Sequence, residues 1–338
     1  MRFSLIVPVY DRPSEVEALL ESLALQEDKG FECIVVEDGS TLPCRDICQR
    51  FAGTFDLKYY YKENEGRSIA RNYGIDRADG DYFVFVDSDC LLPPDYFSAL
   101  RRNLRENYAD CFGGPDAAHE SFTPLQKAIN FAMTSFLTTG GIRGGKMRLE
   151  KFVPRTFNMG FSREVYSKVG GFREMFSEDI DMSTRIRQAG FSPVLLHDVR
   201  VYHKRRVSLA KFWKQVHVFG LSRITLKILY PGSLKLVHWL PALFVLASAA
   251  MTVCFIVGLC TGTLGLILAI APLALYLLVL FATATVQMRS LHLGALGTLC
   301  AVIQLWGYGT GFLRAYISRI LLGRGRDLAR EIRIRKGE

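Results

Sequence analysis

The sequence predicts an α/β domain on a Rossmann-like parallel sheet, followed by interfacial helices and transmembrane helices. Three observations carry this reading. Short β-rich runs alternate with helix-like stretches through the N-terminal part, and each run closes on a polar cluster. Further on, 53 consecutive positions from Leu236 to Met288 contain no Asp, Glu, Lys or Arg. A chain of 338 residues, 49% hydrophobic, can bury a sizeable core beside such a membrane region.

The opening MRFSLIVPVYDRP ends its apolar run at Asp11-Arg12, short of a signal peptide's core and cleavage site, so Phe3 to Val9 reads as a first strand. Strands follow at Phe31 to Val36, Leu57 to Tyr61 and Tyr82 to Val86, with helices at Ser14 to Leu25, Cys44 to Phe51 and Ser68 to Ala78 between them. Such alternation argues for a parallel sheet with helices on its faces, and ligands collect at the carboxyl ends of its strands. There the sequence places Pro8-Val9-Tyr10-Asp11-Arg12, Glu37-Asp38-Gly39-Ser40, Asn64-Glu65-Gly66-Arg67 and Asp87-Ser88-Asp89. No GxGxxG follows the first strand, which removes most of the support for a dinucleotide site.

Asp87 and Asp89 form a DXD motif. On extended backbone their carboxylates point to one side and can share a divalent cation; an Asx-turn that ends the strand is the other reading.

SLAKFWKQVHVFGLSRITLKILYPG mixes Lys211, Lys214, Arg223 and Lys227 with Phe212, Trp213, Phe219 and Leu226, as helices lying on a bilayer do. Leu236 to Gly258 and Leu264 to Gln287 each exceed the ~20 residues that cross a bilayer and read as a hairpin. The third stretch, Leu291 to Leu313, is uncharged but carries Gly294, Gly297, Gly307, Gly309, Gly311 and Gln304, so it spans or re-enters. Six basic residues in the tail favour a cytosolic end, hence a third segment broken at GYGTG (307–311) that does not cross fully. The expected organisation is an α/β domain at 1–207, interfacial helices at 208–235, a membrane region at 236–322 and a basic tail at 323–338.

Eight cysteines without a CxxC pair favour reduced thiols in a cytosolic domain. The net charge of +9 gathers around the membrane segments, which points to anionic lipid and away from nucleic acid.

Five stretches in order, SLIVPVYDRP (4–13), CIVVEDGS (33–40), NEGRSIARNYGIDRADGDYFVFVDSD (64–89), FNMGFSREVYSKVGGF (157–172) and SEDIDMSTRIRQAG (177–190), resemble the family 2 glycosyltransferases. The resemblance implies a GT-A fold, an inverting reaction, a nucleotide-diphospho-sugar donor and a divalent metal, Mg²⁺ or Mn²⁺, at Asp87 and Asp89. It implies a nucleobase contact at Asp38 with Glu37 beside it, a base pocket lined by Pro8, Tyr10 and Arg12, and donor contacts at Gly66, Arg71 and Ser88. It places the catalytic base at the pair Glu178-Asp179, with Asp179 favoured; Ser177 and Asp179 acting only as helix caps is the alternative. Asn158 and Met159 are candidates for the sugar or acceptor side. His203 is a metal or phosphate ligand or an ordinary strand-end histidine, and Arg206 follows in a cationic loop suited to phosphate. The letters Gln215-Val216-His217-Val218-Phe219 depart from the QxxRW of processive members.

The function so implied is transfer of one sugar to a membrane-associated acceptor, a polyprenyl-linked saccharide in cell-surface polysaccharide biosynthesis, on the cytosolic face of the inner membrane. The alternatives are a polyprenyl-phosphate sugar synthase and a non-catalytic sugar-nucleotide-binding scaffold.

Overall fold

The computed structural model describes residues 1–117, 122–139, 152–203, 208–325 and 332. They fall into two compact units, one from 1–117 and 152–203 with 332, the other from 122–139 and 208–325.

In the first unit the strands are β1 (Phe3–Val9), β2 (Phe31–Asp38), β3 (Asp56–Lys62), β4 (Tyr82–Phe85), β5 (Cys90–Leu91), β6 (Cys111–Gly113), β7 (Asp116–Ala117), β8 (Met159–Ser162), β9 (Val194–Leu195) and β10 (Val201–His203). The main sheet runs β3-β2-β1-β4-β8-β6-β9. Its first four strands are parallel, and β8 runs against both β4 and β6. β5, β10 and β7 form a small second sheet.

Alternation along β1 divides the core. Phe3, Leu5, Val7 and Val9 face one layer with helices α1 (Pro13–Ala24), α2 (Arg45–Arg50) and α4 (Tyr96–Glu106); Ile6 faces the other with α3 (Arg67–Ile75) and, further along the chain, helices at Arg163–Val169 and Glu178–Gln188. Because β1, β2 and β4 are parallel, their carboxyl ends open on one edge, where three of the four polar clusters begin.

The second unit is helical. It contains α5 (Pro124–Thr134) and α6 (Phe136–Thr139) and, after α7 (Arg163–Val169) and α8 (Glu178–Gln188) of the first unit, α9 (Leu209–Leu229), α10 (Leu240–Thr261), α11 (Leu264–Leu268), α12 (Ala271–Met288) and α13 (Leu291–Ala315). The segment 122–139, inside the stretch expected as one domain at 1–207, groups with the helical unit. Ala128, Ile129 and Ala132 of α5 share a core with Phe212 and Val216 of α9, Leu280 of α12, and Cys300 and Ala301 of α13, which buries the apolar stripe of α5.

Among the described residues, three helices are long and apolar enough to cross a membrane: Leu236–Thr261, Leu264–Met288 and Leu291–Leu321. The break expected at GYGTG is absent. α13 runs through it, and one turn of π-helix follows at Tyr316–Leu321. These glycines let neighbouring backbone close in: a Cβ on Gly311 would lie 2.1 Å from the carbonyl oxygen of His217, and one on Gly220 would lie 2.1 Å from that of Tyr308. Packing thus outweighs glycine's low helix propensity. The face of α9 bearing Phe212, Val216 and Ile224 is buried within the unit, while Trp213 stays exposed. Most of the tail, 326–331 and 333–338, lies outside the described residues.

Candidate active site

β4 ends at Phe85, so the two acids of the DXD motif do not sit on extended strand. The amide of Cys90 donates to the carbonyl of Asp87 at 3.0 Å, closing a turn over Asp87–Cys90. The carboxylates have different partners. Arg71 Nη2 donates to Asp87 Oδ1 at 2.7 Å, whereas Arg12 Nη1 donates to Asp89 Oδ2 at 2.5 Å. Ser88 between them is buried.

Arg71 extends from α3, which starts at Arg67 just after the turn at Asn64–Gly66. That turn is tied to the end of β2. Asp38 accepts from the amides of Glu65 (3.0 Å) and Gly66 (2.8 Å) and from Lys62 Nζ (3.2 Å). A Cβ on Gly39, at φ +70°, would stand 2.5 Å from the Asn64 nitrogen, so only glycine lets β2 and the turn approach this closely. The sequence offers Asp38 and Glu37 to a nucleobase, but both are buried and face inward. Glu37 accepts from Ser40 Oγ, the Cys44 amide and Tyr59 Oη. Asp38 braces the turn, and Glu37 braces the loop that follows β2.

Beyond β1, Pro8 is half-buried and Tyr10 is half-exposed. Asp11, at φ +50°, accepts from the amides of Thr41 (2.7 Å) and Leu42 (3.0 Å), and these bonds hold its carboxyl below the usual carboxylate range. Among the described residues Asp11 is one of three non-glycine residues at positive φ. Another, Ser177 at φ +65°, immediately precedes Glu178 at the start of α8. Two of the three therefore flank the candidate site, where such backbone strain often gathers.

Glu178 and Asp179 diverge. Glu178 is 2% exposed and accepts from Arg71 Nη1 at 3.0 Å and Arg67 Nη2 at 2.9 Å. Asp179 accepts from Arg155 Nη1 at 3.1 Å and from the Ile180 amide at 2.8 Å. Burial pushes the Asp179 carboxyl up, but the Arg155 charge and hydrogen bond, with the Ile180 amide, bring it below its ordinary value. It is ionised at neutral pH, the state a general base requires. Asp181 faces Arg173 and Arg185 within the scaffold.

Asn158 and Met159, the candidates for the sugar or acceptor side, point into the sheet interior. Asn158 accepts from Tyr96 Oη at 2.7 Å and donates to the Val199 carbonyl at 2.8 Å, and Met159 lies in the core on β8. Each is wholly buried because β8 is an interior strand of the sheet. Arg155 was missed: an arginine in a PRTFN loop carries no periodic or spacing signal. The register sets His203 across from Cys90, next in sequence to Asp89. Arg206 lies outside the described residues.

Asp87 and Asp89 are hard oxygen donors of the kind Mg²⁺ and Mn²⁺ take, and each now holds a cationic group. Their donor chemistry suits a divalent cation, but the described residues contain no group of three or more His, Cys, Asp or Glu able to hold one, so other ligands would have to complete the site.

Residues 4–170 match the family model described as glycosyl transferase family 2. The chain is similar to glycosyltransferase GlyA of Streptococcus pneumoniae, 37% identical over 110 residues, 32% of this chain and 16% of that protein. Similarity to glycosyltransferase AglE of Haloferax volcanii is 25% identity over 263 residues, covering 70% and 81% of the two chains. The chain spans less than a fifth of the first curated relatives it matches, 16% and 18% of their lengths. In fold it is similar to a mannosyltransferase of Pyrobaculum calidifontis solved with GDP-mannose and Mn²⁺, at TM-score 0.64 and 19% identity over 90% of this chain and 87% of that one. The sheet order, the strand-end acids and the family match coincide on the N-terminal part of the sequence, and residues 4–170 form a glycosyl transferase family 2 domain.

Proposed function

We propose that the chain is an inverting glycosyltransferase that moves one sugar from a nucleotide-diphospho-sugar to a hydroxyl of a membrane-associated acceptor, a polyprenyl-linked saccharide, at the cytosolic face of the inner membrane. The Arg71 bridge carries this reading. One guanidinium holds Asp87 after β4 and Glu178 at the start of α8, joining the first acid of the DXD motif and the neighbour of Asp179 in one charged site.

The acceptor oxygen bonds to the anomeric carbon while that carbon's bond to the diphosphate oxygen breaks. The electron pair leaves with the nucleoside diphosphate, and the hydroxyl proton passes to the Asp179 carboxylate. Asp87 and Asp89 would hold a divalent cation, which when bound would supply charge stabilisation to the leaving group. Arg67 and Arg12, both partly exposed, offer guanidinium donors to the phosphates, and Tyr10 with Pro8 offers a surface to the base. The GDP-mannose and Mn²⁺ bound by the mannosyltransferase of like fold support the donor class and the metal. The three long apolar helices support an acceptor held in a membrane. A scaffold that only binds sugar nucleotides has no use for an ionised Asp179 held beside this site.

The test is thermal stabilisation of the purified chain by a panel of UDP-, GDP- and dTDP-sugars with Mg²⁺ or Mn²⁺, which needs no acceptor. Stabilisation by one donor class is expected, and none by any donor overturns the reading. Radiolabelled product carrying one sugar in a mild-acid-labile linkage would identify a bare lipid phosphate as the acceptor instead.

A further inference from the structure

We propose that Arg12 is a removable cation on Asp89, so that metal binding at Asp89 waits on the donor's diphosphate. This deepens the reading above and rests on it.

The two guanidiniums on the DXD acids differ in what holds them. Arg71 is 1% exposed, also engages Glu178, and lies over the Phe172 ring at 5.6 Å. Its departure would leave Glu178, itself buried, with Arg67 alone, so Arg71 is a fixture. Arg12 is 33% exposed, and among the described residues its one ion pair is with Asp89. It occupies the cap position before α1 without a capping side-chain bond. The backbone on either side is pinned, by Asp11 to Thr41 and Leu42 and by Pro13 opening the helix. The side chain of Arg12 can therefore swing while its anchor stays put.

At 2.5 Å the guanidinium holds Asp89 Oδ2, one of the two oxygens the carboxylate could offer a divalent cation. Two cations on one carboxylate repel, so metal entering alone binds against the Arg12 charge. A diphosphate changes the balance by offering Arg12 a doubly charged, forked partner, which frees Asp89. Metal and nucleotide then bind with positive coupling in addition to their own attraction. Linkage makes the effect reciprocal, because whatever the nucleotide does for metal affinity the metal does for nucleotide affinity.

The experiment titrates Mn²⁺ into the full chain in detergent and follows loss of the free-ion paramagnetic resonance signal, alone and with UDP or GDP. Arg12→Gln should bind Mn²⁺ without nucleotide about tenfold more tightly than wild type, and its nucleotide-induced tightening should shrink by the same factor. Arg12→Lys, which keeps the charge but loses the fork, should lie between and serves if Arg12→Gln fails to fold. Equal nucleotide-free affinities in wild type and either folded variant would overturn the removable-cation proposal alone. Failure of wild type to take up Mn²⁺ with either nucleotide would overturn the metal reading and the proposal together.

Discussion

Arg71 and Glu178 meet at 3.0 Å with side chains 1% and 2% exposed, a buried pair that reaches across 107 positions of sequence. Removing one partner leaves the other charged and poorly compensated, at a typical cost of about 3–5 kcal/mol. Arg71→Met should therefore lower unfolding stability on that scale and also abolish donor binding. Arg71→Lys should recover part of the stability but little of the binding, because an ammonium cannot reach Glu178 and Asp87 with one planar fork. Chemical denaturation alongside donor titration separates the two effects.

Asp179→Asn keeps size and hydrogen bonding but cannot take a proton, so turnover should fall by ~10² to 10⁴ with donor affinity nearly unchanged. Full activity here, with loss in Glu178→Gln, would move the base to Glu178.

The acid limb of the rate profile tests Arg155. Asp179 titrates below its ordinary value in the folded protein, so it stays ionised through mildly acidic pH, and in the proposed role the acid limb appears only as pH falls through the lowered value. Arg155→Met removes the cation that opposes burial, so the carboxyl should rise and the acid limb of kcat should move toward neutral pH. An unmoved limb would leave Arg155 a purely structural contact.

Asp89→Ala should abolish metal-dependent donor binding while the melting transition stays near that of wild type, since Asp89 pairs with a partly exposed arginine. Donor binding by wild type that is indifferent to a chelator would count against a metal at this site.

How far the sequence was legible depended on whether a residue's role was local. β1 was bounded at both ends, Phe3 to Val9, because an apolar run meeting Asp11 has no competing reading. The divergence of Glu178 and Asp179 was half visible: adjacent acids on a helix start were evident, but not the arginines that sort them. Arg155 reaches its partner across 24 positions, and nothing in its neighbourhood announces that. Asn158 reads as a polar site residue until Tyr96 and the Val199 carbonyl, both distant in sequence, consume its carboxamide. The glycines of α13 read as breaks because intrinsic propensity is local, whereas the backbones they admit belong to other segments.

Those glycines yield a stability prediction. Gly311→Val would push a side chain into the His217 carbonyl, and overpacking of this kind typically costs about 1–3 kcal/mol. Gly265→Ala, with nothing within 4 Å of the added carbon, should be neutral. Thermal unfolding in detergent compares the two, and equal melting points would remove the close-packing account.

The pairing of acids with arginines also bears on how a catalytic cycle ends. Asp87, Asp89, Glu178 and Asp179 each have a guanidinium partner, and if Arg12 moves to the diphosphate as proposed, departing nucleoside diphosphate leaves behind a cation that can return to Asp89 at once. On that proposal product release is an exchange of partners in which Asp89 competes for the arginine that grips the phosphates. Such a site resets itself. Added salt weakens the grip on the ligand and the recapture by the acids together, so turnover limited by release should vary less with ionic strength than in a site lined by unopposed cations.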